Sequence, residues 1–205
     1  GKSFTTRRVV AIQHGKAIFN LAASFHADEP GIDHSEPMPD APDPDRLPTF
    51  HERMAPWQRQ LGDWYTRPRP IDTRHVQPPW WGSGNDVDNP PEQQVWFRAD
   101  GALPDDPLLH ACVVAYASDM TLLDSVLRPH RLNWVEGNLM MASLDHAMWF
   151  HREFRADDWL LYDQRSPSAH GARGLGMGSI FTRDGKLAVS VVQEGLVRVI
   201  KSGGD

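Results

Sequence analysis

The sequence predicts an α+β fold in which an antiparallel sheet curls around one long central helix. Three observations lead there. A strand pattern at Gln93–Arg98 is followed by a single long apolar helix pattern opening at Pro107. Several strand-like runs then follow with no second long helix among them. Asp184-Gly185 between two alternating runs marks a hairpin, which makes the late strands antiparallel.

The elements are justified in chain order. Val9, Val10 and Ile12, then Ile18, Phe19, Leu21 and Phe25, flank His14-Gly15-Lys16 and read as a hairpin over residues 3–25. The composition changes after it. Six prolines between positions 30 and 48, among Asp28, Asp33, Asp40, Asp43 and Asp45, preclude a regular helix or a central strand. Residues 27–70 are therefore expected to be a Pro-rich linker, extended and surface-bound. Within it Met54, Trp57, Leu61 and Trp64 fall at helical spacing, interrupted by Pro56 and Gly62. A strand is expected over 71–78 and a second loop over Gly82–Pro91.

Asp105-Asp106-Pro107 supplies an acidic N-cap and a proline for the first helical position. The helix is expected to run to about Leu127, before Arg128-Pro129. It is apolar nearly all round between Ala111 and Ala117, the signature of a helix buried on most sides. Strands are then expected at Leu139–Phe150, at Trp159–Ser166 and, as a hairpin, at Leu175–Phe181 and Leu187–Ile200. A sheet wrapped around one greasy helix is the hot-dog arrangement. His14-Gly15-Lys16-Ala17-Ile18 echoes Asp184-Gly185-Lys186-Leu187-Ala188, and the register extends to Phe19 with Val189, Leu21 with Val191 and Ala23 with Gln193. Two copies of one architecture, the first incomplete, would produce this echo.

Composition narrows the function. The 205 residues carry 21 basic and 27 acidic side chains, a formal net charge of −6, so no basic field favours nucleic acid or an anionic membrane. The longest near-continuous apolar run, Ala111–Ala117, is far short of the roughly 20 residues that span a bilayer. Cys112 is the single cysteine, which fits a reducing, cytoplasmic setting. The chain opens on Gly1-Lys2 without a Met and enters a strand pattern at once, as a fragment or processed chain would.

Candidate chemistry begins with Asp119. Helical spacing puts it beside Cys112, Ala115, Tyr116, Leu122 and Leu123, and a carboxylate on such a stripe must be hydrogen-bonded or functional. In Leu139–Phe150, period two sets Ser143 and Asp145 on one face and His146 on the other, against a Ser-His-Asp triad. Gln193 can both donate and accept, so it can orient a water; a glutamine at a strand end is more commonly a solvated residue or a backbone bridge. The ten histidines form no metal-binding motif, and a Cys-rich zinc site is impossible with one cysteine. Gly171–Gly176 lacks the Lys-Ser/Thr of a phosphate loop and reads as a strand entrance with close backbone packing. The eight tryptophans read as core and loop anchors.

Three runs together carry a resemblance: Tyr116-Ala117-Ser118-Asp119, the stretch Ser143-Leu144-Asp145-His146-Ala147-Met148-Trp149-Phe150-His151-Arg152, and Val192-Gln193-Glu194-Gly195. Gln94-Val95-Trp96, Trp159-Leu160-Leu161-Tyr162, Arg7–Gln13 and Met38-Pro39 agree in order. The chain resembles the acyl-CoA thioesterase II family. The resemblance implies two fused hot-dog units that hydrolyse acyl-CoA to free fatty acid and CoA without a metal or other cofactor, in fatty acid metabolism. It implies catalytic roles for Asp119, Ser143 and Gln193, with serine standing where the family frequently has threonine. It implies acyl-CoA as partner and a homo-oligomer, with neither nucleic acid nor membrane. Residues 1–26 would be the closing hairpin of a partial first unit, 27–70 the linker and 71–205 the complete second unit. Two other readings stand beside it: a non-catalytic acyl-CoA-binding or oligomerisation module, and a hot-dog dehydratase or hydratase using His146 with Asp145.

Overall fold

The computed structural model describes residues 3–81 and 89–200. The loop expected at Gly82–Pro91 falls largely outside them, as does Gly1-Lys2. The chain divides into two compact units, Gly1–His34 and Ser35–Asp205.

The first unit is a hairpin of β1 (Phe4–Gln13) and β2 (Lys16–His26), joined at His14 and Gly15 with φ of 50° and 74°. Both central residues are left-handed, the geometry whose twist matches that of the flanking strands. Phe4 pairs with His26 at the open end, their rings stacked 4.3 Å apart. Its apolar side chains, Val9, Val10, Ile12, Ile18 and Phe19 among them, are exposed.

The second unit is a seven-stranded antiparallel sheet with one principal helix. Its strands are β3 (Ile71–His75), β4 (Glu92–Ala99), β5 (Leu139–Ser143), β6 (Ala147–Phe150), β7 (Leu160–His170), β8 (Arg173–Thr182) and β9 (Leu187–Val199). The order is β3-β4-β7-β8-β9-β5, and β6 also pairs with β9. One expected strand, Leu139–Phe150, is thus two. Leu144 and Asp145 both donate to the single carbonyl of Glu194, at 2.9 and 3.4 Å, so the chain bulges there.

Alternation along the central strands sorts two cores. Phe97, Leu160, Tyr162 and Ile180 face the helix, while Trp96, Leu161 and Phe181 face the opposite side. That outer face is covered by Met38, Ala41 and Leu47 of the Pro-rich segment, pinned by a 2.9 Å bond from Trp96 Nε1 to Pro42 O. Covering on both faces explains why these strands read as continuous apolar runs.

The short helices α1 (Phe50–Met54), α2 (Gln58–Leu61) and α3 (Asp63–Thr66) follow this strap, broken where Pro56 and Gly62 interrupt the pattern. Thr49 opens α1 with a reciprocal capping box to Glu52. Helix α4 (Pro107–Ser118) starts as expected: Asp106 caps it, accepting from Leu108 N at 2.9 Å. It ends nine residues before the expected Leu127, and α5 (Asp124–Leu127) follows a turn. Nor is it buried on most sides. Only the stripe His110, Val114, Ala117 and Ser118 is buried, while Leu108, Cys112 and Tyr116 are exposed.

The reason α4 stops early lies in the sheet. Gln93 Nε2 donates to Thr121 O at 2.8 Å and to Gln164 Oε1 at 2.6 Å, and Gln164 Nε2 donates to Thr121 Oγ1 at 2.6 Å. Two buried glutamines from β4 and β7 therefore grip the turn after α4. Glycines seat it: a Cβ at Gly176 would lie 2.9 Å from Leu122 Cγ, and one at Gly195 2.5 Å from Leu123 Cδ1. The close packing read at Gly171–Gly176 is present in this form, and Gly171-Ala172 itself makes the β7–β8 turn with two left-handed residues.

Candidate active site

The turn after α4 and strands β5 and β9 bring three polar groups together. Asp119 is the C-cap of α4. Ser143 ends β5 opposite Gly195 of β9, and Gln193 lies two residues before that glycine on the same face. Gln193 Nε2 donates to Asp119 Oδ1 at 2.5 Å and to Ser143 Oγ at 2.7 Å; Ser143 Oγ donates to Asp119 Oδ1 at 3.3 Å. The three groups close a ring, with Asp119 Oδ1 accepting twice. Gln193 is 0% exposed, whereas Asp119 and Ser143 meet solvent. The carboxylate fixes the amide's orientation, since turning it over would set Oε1 against Oδ1. All three residues singled out from the sequence are therefore neighbours here.

His146 departs from the expected geometry. Strict alternation would turn it away from the face of Ser143. The bulge at Leu144 and Asp145 breaks that alternation, and His146 Nε2 lies 2.8 Å from Ser118 Oγ on α4. The Ser118 hydroxyl also lies 2.9 Å from Ala115 O and 3.5 Å from Met148 Sδ. Asp145 is engaged elsewhere, accepting from Glu194 N at 2.8 Å. Ser143, His146 and Asp145 thus form no relay, and neither do His146 and Asp145 form a catalytic pair.

Behind the ring, Tyr162 Oη donates to Ser118 O at 3.1 Å. Burial, and then the charge of Asp119, push its phenol well above the ordinary value. Beside Asp119 and Ser143 opens a cavity of about 380 Å³. Its walls include Phe50, Trp64, Arg69 and Trp134, residues that sequence reasoning left out of the site. Asp124 also lines it; burial pushes its carboxyl up to about 7, against the pull of Arg53 and Arg128. The missed signal was the helical spacing of Trp57, Leu61 and Trp64, read as a local helix and not as a wall.

An antiparallel sheet curled on one principal helix is the architecture of the hot-dog proteins. At the level of fold this chain resembles a crystal structure from Alicyclobacillus acidocaldarius described as having a hot dog fold, with a TM-score of 0.72 at 17% identity over 97% of this chain and 69% of that one. The family model for acyl-CoA thioesterase matches residues 73–196. The chain belongs to the acyl-CoA thioesterase family. It is 39% identical to rat acyl-coenzyme A thioesterase 8 over 97% of its own length, and 33% identical to acyl-CoA thioesterase 2 of Haemophilus influenzae over the same share. It matches the crystal structure of an acyl-CoA thioesterase II, TesB2, from Mycobacterium marinum with a TM-score of 0.78 at 46% identity, covering 99% of this chain and 72% of that one. The chain spans 64% of the rat protein and 70% of the Haemophilus protein.

Proposed function

We propose that the protein hydrolyses acyl-CoA thioesters to the free acid and CoA. The observation that carries this reading is the ring of Asp119, Ser143 and Gln193 at the mouth of an aromatic cavity. Membership of the family and the activity for which the rat and Haemophilus relatives are named support it. In this mechanism a water joins the ring. Asp119 takes its proton as the oxygen bonds to the thioester carbon, while Ser143 and Gln193 hold the water in place. Collapse of the tetrahedral intermediate breaks the C–S bond, and the proton passes to the CoA thiolate. Positioned proton transfer of this kind contributes about 10²–10⁴-fold. Asp119→Asn should therefore lower thiol release from a medium-chain acyl-CoA by about 10²–10⁴-fold, with unchanged thermal unfolding. Near-normal turnover in that variant sinks the assignment.

The domain reading belongs to the same proposal: residues 1–26 close a first hot-dog unit, 27–70 link, and 71–205 form the second. So do self-association, action in fatty acid metabolism and a cytoplasmic setting. The exposed large apolar side chains Leu108, Tyr116, Trp149 and Phe150 support association. The lone Cys112 supports the setting. Among the described residues no helix is long and apolar enough to cross a membrane. The exposure of Asp119 and Ser143 favours one second reading, an acyl-CoA-binding module without turnover. Calorimetric binding without release of thiol would decide for it.

A further inference from the structure

The cavity beside Asp119 and Ser143 combines two chemistries. Phe50, Trp64, Trp81 and Trp134 offer aromatic faces, yet Arg53 and Arg69 bring two guanidinium groups to the same walls. A pocket built only for a hydrocarbon tail gains nothing from a cation, because a desolvated charge is costly unless paired.

The two arginines differ in what they already touch. Arg53 is buried, its Nη1 donates to Gln77 O at 2.7 Å, and it faces the carboxylate of Asp124. Arg69 is held differently. Its guanidinium carbon lies 3.5 Å from the ring centroid of Phe50 and 3.9 Å from that of Trp64. Its Nε–H is buried with no acceptor, and among the described residues no carboxylate pairs with it. Aromatic rings steady a guanidinium but offer no oxygen for its N–H groups. An arginine fixed in this way presents a planar fork of donors matched to an oxyanion.

We propose that Arg69 binds an oxyanion carried by the thioester substrate, namely the carboxylate at the far end of an ω-carboxyacyl chain. This rests on the hydrolase reading above and names its substrate class. Two parts of such a substrate carry oxyanions, the acyl tail and the phosphates of CoA. The aromatic wall favours the tail, whose methylenes lie against the rings while its carboxylate meets the guanidinium. Phosphates, by contrast, are doubly charged or strongly hydrated and gain little from Phe50 and Trp64.

The test compares hexanoyl-CoA, adipoyl-CoA and the N-acetylcysteamine thioesters of both acids, on the full chain and on its Arg69→Leu and Arg69→Lys variants. Tryptophan fluorescence titrated with adipate and with hexanoate reads binding without turnover, since Trp64, Trp81 and Trp134 line the cavity. The expected result is that Arg69→Leu lowers kcat/KM for both adipoyl thioesters by about 10- to 100-fold, as loss of a charge-assisted pair does. Both hexanoyl thioesters lose far less, the adipate response is lost, and Arg69→Lys restores part of the adipoyl activity and of the adipate response. A loss on the two CoA thioesters and on neither cysteamine thioester assigns Arg69 to a phosphate and overturns the ω-carboxyacyl assignment. Equal losses on all four substrates, or none, overturn the proposal altogether. If the unaltered chain cleaves no thioester but binds adipate through Arg69, the hydrolase reading fails and the anion site stands. If it does neither, both fail.

Discussion

The chain contains two hairpins that begin alike in sequence and end differently in structure. His14-Gly15-Lys16 joins β1 to β2, and Asp184-Gly185-Lys186 joins β8 to β9. In the second, Val189 and Val191 are 0% and 1% exposed, sealed by α4 and its turn. In the first, the matching Phe19 and Leu21 are 54% and 41% exposed. The difference at the next matched position is chemical: Gln193 completes the polar ring, while Ala23 has nothing to donate. Of the two hairpins, only the one beside a helix end carries a polar ring, because Asp119 there gives its amide a partner.

The largest expected effect contrasts those two positions directly. Gln193→Leu removes both donors to the ring and should lower thiol release by about 10²-fold or more, whereas Ala23→Val should leave it unchanged. A steady-state assay of the pair reads this, and equal losses would erase the functional distinction. Next in size is backbone approach. Gly176→Val would press on Leu122, including its carbonyl oxygen 3.1 Å from the added Cβ. Overpacking of that kind costs about 1–3 kcal/mol in denaturant unfolding. Gly15→Ala, at φ of 74° with open space around it, should cost only about 1 kcal/mol.

A smaller effect is the pH slope of the covered unit. Burial raises the Asp124 carboxyl from 3.8 to about 7, so the folded state favours its protonated form. That contribution is complete below the unfolded value and is lost as pH rises through about 7. Thermal stability should therefore fall as pH rises across that window, and Asp124→Asn should flatten the slope; an unchanged slope would count against the buried acid. Smallest is Val10→Thr on the open hairpin, expected within about 0.5 kcal/mol of the parent. A cost of several kcal/mol there would mean that the hairpin is covered in solution, and the contrast between the two would narrow.

Much of this architecture was legible in particular residues. Asp106-Pro107 announced the start of α4, and Asp184-Gly185 the β8–β9 turn. Gln93–Arg98 and Trp159–Ser166 announced strands, though not that both their faces are covered, one of them by Met38, Ala41 and Leu47. The end of α4 was illegible because its cause is tertiary: Gln93 and Gln164 seize Thr121, and neither lies near it in the chain. Residues 119–123 carry no proline or glycine to announce a stop. The direction of His146 was misread for a related reason, since period two presumes an unbroken ladder. Asp119, Ser143 and Gln193 emerged as a set only through the resemblance; spacing alone left each with an ordinary structural alternative. Arg69 was unreadable because nothing local says that Phe50 and Trp64 will close around it.

The break between β5 and β6 has a consequence for insertions and deletions. From Ser143 to Ala147 the edge takes four steps, while its partner goes from Gly195 to Val192 in three. One residue is surplus to the count, so removing Leu144 would restore an even tally and leave both flanking strands in phase with β9. Such a shortened chain would keep Ser143 where it is and His146 on the helix-facing side, opposite Gln193, and would forfeit the brace from Asp145 to Glu194.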